Sequence, residues 1–369
     1  MALNVGVVGM RGIGGSHANA HSNNELANLQ AVCDIVKERA DDAAQRHGVK
    51  AYYSVQDMLD GEPNLDIVDV CTGGPENGGW HFEPTMEALE AGKHVLVEKP
   101  LSNEIEEGRQ MVAKATEKGV YLACNVNHFF TQPCERARQY IDDGEVGELV
   151  FCVAKMGFQG GESVYKPAAG GNTGGFPYFH MKAFMTHPFS VMRYFCGDIT
   201  HVQAYLDRPT FREDAGDPGL STVSIHVRFA NKGVGYLLSQ RGDASHGPGG
   251  WWSIEVGGTK GTFFVENCVE KVTYWKAHDP RGPGRPALVP EGQNGAPAET
   301  HYGTTDFGST FPNRIHAFLE DVTNGVPKSQ LRGSGRDALA ALEYTFAAIE
   351  SHEKGGELVI PHPLPPEED

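Results

Sequence analysis

Over the first 125 residues, short apolar runs rich in β-branched residues alternate with helical patterns, and nothing else in the chain limits its fold as tightly. The runs are Val5 to Val8, Leu29 to Cys33, Ile67 to Cys71, His94 to Val97 and Val120 to Cys124. They are short and lack a regular polar face, as in parallel strands covered on both sides. Helical patterns lie between them at Lys37 to His47, Ser54 to Leu59 with Ser54 as N-cap, Pro84 to Ala91 ended by Gly92, and Asn103 to Lys118 ended by Gly119. Repeated βα units predict a doubly wound parallel sheet in an α/β unit over residues 1–125.

After Asn125 the pattern changes. A helix from Gln132 to Asp143, stopped by Gly144, leads into longer strand-like stretches at Leu149 to Phe158, Ile199 to Leu206, Ser221 to Phe229, Gly233 to Gln240, Trp252 to Val256, Thr262 to Glu266 and Val269 to Trp275. Asn231-Lys232-Gly233 is a hairpin signal, and the alternation in Ser221 to Phe229 marks a sheet with one open face. Residues 126–369 therefore read as a second α/β unit on a mostly antiparallel sheet, closed by helices at Asn313 to Thr323 and Gly335 to His352. The stretch from Ala277 to Thr310 is poor in apolar periodicity and rich in Pro and Gly, and is expected to be a long loop.

Charge narrows the function classes. With 31 basic against 48 acidic residues the formal net charge is -17, which disfavours a phosphate backbone as partner and argues against nucleic acid. No apolar run approaches the roughly 20 residues of a membrane span. The amino terminus carries no export signal, so the expected location is the cytoplasm. The seven cysteines are odd in number, never spaced C-x-x-C, and several end apolar runs, so they read as reduced core thiols.

Two strand ends carry the chemistry. The first strand runs into Gly9-Met10-Arg11-Gly12-Ile13-Gly14, where Gly9 and Gly14 fit the first and third glycines of a dinucleotide fingerprint; Arg11 takes the middle place, with Gly12 beside it. Taken alone this is equally an ordinary glycine-rich turn. Asp34 ends the second strand about 20 residues on, where a carboxylate binds both ribose hydroxyls and repels a 2'-phosphate, so NAD is favoured over NADP. The alternative for Asp34 is a helix cap. At the end of the fourth run, Glu98-Lys99-Pro100 delivers Lys99 to the ligand crevice, with Pro100 fixing the turn in a trans or cis form.

Glu98-Lys99-Pro100, with the upstream Ala88-Leu89-Glu90-Ala91-Gly92-Lys93-His94, resembles the Gfo/Idh/MocA family, named for glucose-fructose oxidoreductase and inositol dehydrogenase. The glycine turn with His17, Asp34, Thr72, His81, Asn127-His128, Pro133, Gly144-Glu145-Val146-Gly147 and Lys260-Gly261-Thr262 extend the resemblance over nearly the whole chain. It implies a Rossmann domain, a second domain with a large open sheet that often mediates a homo-oligomer (dimer or tetramer), and hydride transfer between NAD and a ring hydroxyl of a sugar, glycoside or cyclitol. It further implies a cofactor set of Gly9, Arg11, Gly12, Ile13, Gly14, Asp34, Thr72, Gly73, His81, Glu98, Lys99 and Asn127, with Lys99 touching both nicotinamide and substrate.

Several positions depart from the family pattern. The loop Gly73 to Trp80 is longer than usual, Phe129 replaces a common arginine, and the helix that carries Asp-x-x-x-His in the family has Ala183 and His187; Ser190 replaces another Asp. His180 lies seven residues before His187, on the same face of a helix, and stands as a substitute partner; Lys182 lies on a different face. The expected catalytic set is Lys99, His187 and His180. The expected substrate set is Lys99, His128, Tyr165, His180, Lys182 and His187. His128 and His180 are equally readable as hydrogen-bonded structural histidines. Phe158, Tyr165, Tyr178, Trp251 and Trp252 are readable as sugar-stacking platforms or as core. A zinc site lacks a third ligand at fixed spacing, so no metal is expected. Beside net dehydrogenation stand two alternatives: a redox-neutral reaction in which transient oxidation enables glycoside cleavage, elimination or epimerisation, and a non-catalytic NAD-binding sensor.

Overall fold

The computed structural model describes residues 2–74, 80–158, 176–241, 244, 250–276, 298–303 and 307–366. Strand β1 (Leu3–Val8) enters α1 (Ile13–Ser22), followed by β2 (Ala27–Cys33), α2 (Lys37–His47), β3 (Lys50–Tyr52), α3 (Val55–Gly61), β4 (Ile67–Val70), α4 (Phe82–Glu90), β5 (His94–Val97), α5 (Ile105–Lys118) and β6 (Leu122–Cys124). These strands form one parallel sheet in the order β3-β2-β1-β4-β5-β6. The order reverses between β1 and β4, which opens a crevice at the carboxyl ends of those strands. The helix boundaries follow local chemistry. Ser54 Oγ accepts from Asp57 N at 3.1 Å at the start of α3, and Gly119, with φ 68°, ends α5 in the left-handed conformation.

A single 3-10 turn over Asn127–Phe129 leads to α6 (Gln132–Asp142), capped by the Thr131 hydroxyl. Then come β7 (Leu149–Phe158), α7 (Phe179–Phe184), α8 (Thr186–Cys196), β8 (Ile199–Asp207), α9 (Thr210–Asp214), β9 (Thr222–Phe229), β10 (Val234–Arg241), β11 (Trp252–Gly258), β12 (Gly261–Glu266), β13 (Lys271–Lys276), β14 (Ala298–His301), α10 (Thr310–Asn324) and α11 (Gly335–Glu353). The second sheet runs β14-β13-β12-β11-β7-β10-β9-β8 and is antiparallel except where β10 pairs with β7. Cys152, Ala154, Met156, Val223, Ile225 and Val227 point into the core, while Val153, Tyr205 and Leu238 face outward and are exposed. The expected long loop from 277 to 310 needs correction, because Ala298–His301 adds an edge strand on β13. Its Ala-Glu-Thr-His sequence is largely exposed and so carries no apolar signature.

The last two helices tie the sheets together. Ile315, Phe318 and Leu319 of α10 pack with Val5, Val7 and Ile67 of the first sheet, and α11 packs on α5, α8 and β8. Buried Arg314 of α10 donates from Nε to the Cys124 carbonyl at 3.1 Å, fixing the end of β6. All seven cysteines are free and buried, and among the described residues no helix is long and apolar enough to cross a membrane.

Candidate active site

The turn after β1 depends on its glycines. A Cβ on Gly14 would sit 1.7 Å from the Gly9 carbonyl oxygen, and one on Gly9, whose φ is 92°, would sit 2.8 Å from Cys71 and Thr72 backbone atoms. These contacts bring α1 hard against the sheet. Gly12, with φ 46°, caps α1 and has nothing within 4 Å of its Cβ position. The helix therefore presents an open, partially positive amino end, a fitting seat for a pyrophosphate. Arg11 is exposed beside it.

Asp34 is buried at the end of β2, and its Oδ2 accepts from Met10 N and its Oδ1 from Val36 N, each at 2.8 Å. The helix-cap reading of Asp34 needs correction, because the N-cap of α2 is Val36 with no side-chain cap bond; Asp34 instead turns the chain just before the helix and anchors the glycine turn, and each carboxylate oxygen retains a further lone pair. Arg39, early in α2, brings its Nη1 within 3.8 Å of Asp34 Oδ1, because one helical turn carries it back over the strand end. Ile35, 84% exposed, lies beside this edge as an apolar surface that the sequence did not single out.

Lys99 follows β5 on a turn whose Lys99-Pro100 peptide is cis. Glu98 Oε2 accepts from Lys99 N at 3.0 Å, and buried His81 donates from Nδ1 to the Pro100 carbonyl at 2.7 Å. Thr72 Oγ1 donates to the Trp80 carbonyl at 2.6 Å, and a Cβ on Gly73 would meet nothing within 4 Å. Asn127 Nδ2 donates to Thr310 Oγ1 at 2.6 Å, fastening the junction between the sheets to α10.

The Lys99 ammonium lies 5.5 Å from the Phe184 ring centroid and acts electrostatically on His128 and His187. Those two imidazoles stack, with centroids 3.6 Å apart and planes 4° apart. Trp251, Trp252 and Phe307 stand edge-on to His128 at 5.7, 6.1 and 5.3 Å. Burial, then the Lys99 charge, lowers His128 to about 3; burial, then His128 and Lys99, holds His187 well below its ordinary value. Both rings are neutral at pH 7. Nδ1 of each is enclosed and without a hydrogen-bond partner, leaving Nε2 as the atom able to meet a ligand. Ser190, in place of an acidic residue, turns its hydroxyl back to the His187 carbonyl at 2.8 Å.

The remaining expected residues separate. α7 and α8 continue one another with helical dihedrals at Met185, so His180 and His187 do share a rod. However, His180 Nε2 pairs with Ser239 Oγ of β10 at 2.9 Å and its ring packs 5.6 Å from Phe184. Among the described residues no hydrogen bond joins it to His187. Burial, then Arg241 and Arg212, lowers His180 to about 3. Lys182 pairs with Glu104 Oε1 at 3.2 Å in a surface groove of about 390 Å³ that it shares with Tyr178 and Glu353. Trp252 is core, 2% exposed, and Trp251 is half-buried. Tyr165 and the Phe158 side chain lie outside the described residues.

Residues 3–127 match the model of an oxidoreductase family with an NAD-binding Rossmann fold, and residues 134–264 match the Gfo/Idh/MocA C-terminal domain. The chain belongs to the Gfo/Idh/MocA family. It is an NAD-dependent oxidoreductase with the two-sheet α/β architecture of that family. A myo-inositol 2-dehydrogenase from Thermotoga maritima is 24% identical over 356 residues, 95% of this chain and 97% of that protein. A levoglucosan dehydrogenase from Pseudarthrobacter phenanthrenivorans is 26% identical over 301 residues, 70% of this chain and 72% of that protein. A levoglucosan dehydrogenase structure, in complex with NADH and levoglucosan, has the same fold with a TM-score of 0.80 at 22% identity, covering 98% of this chain and 100% of that one.

Proposed function

We propose that this Gfo/Idh/MocA oxidoreductase acts on a ring hydroxyl of a sugar, glycoside or cyclitol, with residues 1–125 holding the cofactor and residues 126–369 the substrate and the subunit contacts. The observation that carries this reading is the Lys99 ammonium beside the neutral His128–His187 stack at the carboxyl edge of the first sheet. Relatives named for inositol and levoglucosan supply the substrate class.

The residues fit NAD. Gly9, Arg11, Gly12, Ile13 and Gly14 hold the pyrophosphate at the start of α1, and Asp34 takes the adenosine ribose with Ile35 beneath the base. Thr72, Gly73, His81, Glu98, Lys99 and Asn127 frame the nicotinamide end. When bound, the cofactor supplies the hydride acceptor. The rest of the chemistry belongs to the chain. His187 Nε2 takes the proton of the substrate hydroxyl, a role for which a neutral imidazole is suited. Lys99 stabilises the oxygen as charge develops on it. His128, with Trp251 edge-on to it at 5.7 Å, is assigned to meet the substrate ring. His180 is assigned a positioning role through Phe184, the ring on which the Lys99 ammonium rests.

The same reading places the enzyme in the cytoplasm, in keeping with its buried free thiols. It makes the open face of the second sheet a homo-oligomer contact, since Val153, Tyr205 and Leu238 are exposed there. The test is a panel of inositols, sugars and glycosides incubated with purified protein and NAD, following NADH absorbance and product identity together. A substrate that yields NADH and a ring ketone supports the proposal. Product formed without net NADH would favour the redox-neutral alternative, and turnover confined to non-cyclic alcohols would refute the substrate class.

A further inference from the structure

Behind the Glu98-Lys99-Pro100 turn lies a buried polar cluster for which the reaction itself has no direct use. His17 and His21 sit one turn apart on α1, Asp69 on β4, Glu98 past β5 and Asn125 past β6, and His17, His21 and Asp69 are 0% exposed. His17 Nδ1 is 2.9 Å from Asp69 Oδ2, and its Nε2 is 3.0 Å from Glu98 Oε1. His21 Nε2 is 2.7 Å from the same Asp69 oxygen, and Cys71 Sγ donates to Asp69 Oδ1 at 3.5 Å. The Asn125 amide nitrogen donates to Glu98 Oε1 and lies a longer 3.3 Å from His17 Nε2, and the Phe311 ring of α10 closes the cluster 6.3 Å from His17.

A neutral imidazole has one donor and one acceptor, so between two ionised carboxylates it would turn a lone pair against an oxygen about 3 Å away. A protonated ring donates to both. His21 differs: it meets Asp69 through Nε2 alone, and its Nδ1 is buried with no partner. The charges then alternate from Asp69 through His17 and Glu98 to Lys99. Burial opposes each of these charges, yet Asp69 raises His17 well above its ordinary value, and His17, with the Lys99 charge and Asn125, holds Glu98 below its own.

We propose that His17 is a positioning residue: as an imidazolium bridging Asp69 and Glu98, it keeps Glu98 ionised and its second oxygen on the Lys99 N–H, and so fixes the direction of the Lys99 side chain. The proposal rests on the reading of Lys99 as the group that meets the substrate oxygen. It makes Asp69, fully buried against the two histidines of α1, a determinant of how Lys99 is aimed.

The test uses full-length protein labelled with 15N-histidine, in which His17 is assigned from the His17→Gln spectrum. Both His17 ring nitrogens should stay in the protonated range at about pH 8.5, where a histidine of ordinary pKa is almost wholly neutral. In Asp69→Asn the His17 titration should fall by about one pH unit or more. Reductive 13C-methylation supplies the Lys99 signal, identified by its loss from Lys99→Arg. That signal should move in both Asp69→Asn and His17→Gln while melting profiles stay cooperative. If one variant fails to fold, the other still decides. A His17 that titrates near its ordinary value, a Lys99 signal unmoved in the folded variants, or stoichiometric zinc bound at His17, Asp69 and Cys71 would each overturn the proposal. None of these readouts requires turnover, so an inactive substrate panel would count against the proposed function and not against the clamp.

Discussion

Acid should destabilise this protein through histidines that fold neutral, and His180 isolates the effect. Its folded pKa of about 3 lies below the ordinary 6.5, chiefly from burial and then from Arg241 and Arg212. The unfolded chain takes up a proton that the folded chain refuses. The sign follows: the stabilisation is complete above about pH 6.5 and is lost as the pH falls toward 3. Well below pH 6.5 each pH unit is worth about 1.4 kcal/mol, and with the unfolded ring half protonated at pH 6.5, His180 alone removes about 2 kcal/mol between pH 6.5 and 4.5. That is a large fraction of the 5–15 kcal/mol typical of a folded domain. Glutamine retains a hydrogen bond for Ser239 Oγ and cannot titrate. Urea unfolding of wild type and His180→Gln at a series of pH values gives the difference directly. The variant should be somewhat less stable at pH 7 and should overtake the wild type near pH 5. A stability difference independent of pH would refute the claim that His180 is neutral in the fold. The same variant reports its function: kcat reduced several-fold with KM unchanged supports positioning through Phe184, whereas unchanged kcat makes His180 purely structural.

Three further outcomes are expected. Gly14→Ala places a Cβ 1.7 Å from the Gly9 carbonyl and should lower stability by at least the upper part of the usual 1–3 kcal/mol for overpacking, with NAD affinity lost in calorimetry. Asp34→Ser should cost NAD roughly ten- to a hundredfold in affinity, as expected for charged hydrogen bonds. With Arg39 only 3.8 Å from that carboxylate, the variant should gain on NADP; equal losses for both cofactors would show that Asp34 serves only the turn. Val153→Glu on the open face of the second sheet should shift the particle mass measured by light scattering toward the monomer, and an unchanged mass would remove that face from the subunit contact.

What the sequence revealed, and what it hid, follows from how far a signal must travel. Five of the six strands of the first sheet were legible because each is a short covered apolar run, and Lys99 because a strand end leads to the crevice. α1 was illegible as a helix: Ile-Gly-Gly-Ser-His-Ala-Asn-Ala-His-Ser has little apolar stripe, since the face it buries carries His17 and His21. Those histidines are buried because Asp69 and Glu98 meet them, and Asp69 sits inside the apolar run Ile67–Val70, where nothing local marks it as polar core. β3 has three residues and β14 four, too few for periodicity to register. The His180 reading illustrates the same limit. Seven-residue spacing correctly put it in line with His187, but its partner is Ser239, 59 residues away on β10, and the ring that stacks on His187 is His128, from the junction before α6. Helical spacing orders residues along one rod; it is blind to what the neighbouring sheet offers.

The roles proposed for Lys99 and His187 are tested by single-turnover NADH formation by wild type, Lys99→Ala and His187→Ala on the best substrate of the panel, with NAD affinity determined on the same preparations. Loss of an oxyanion donor should slow Lys99→Ala by about 10²–10³-fold, and loss of the base should slow His187→Ala by about 10²-fold or more, each with NAD dissociation constants within a few-fold of wild type. Near wild-type rates in either folded, NAD-binding variant would contradict the assignment.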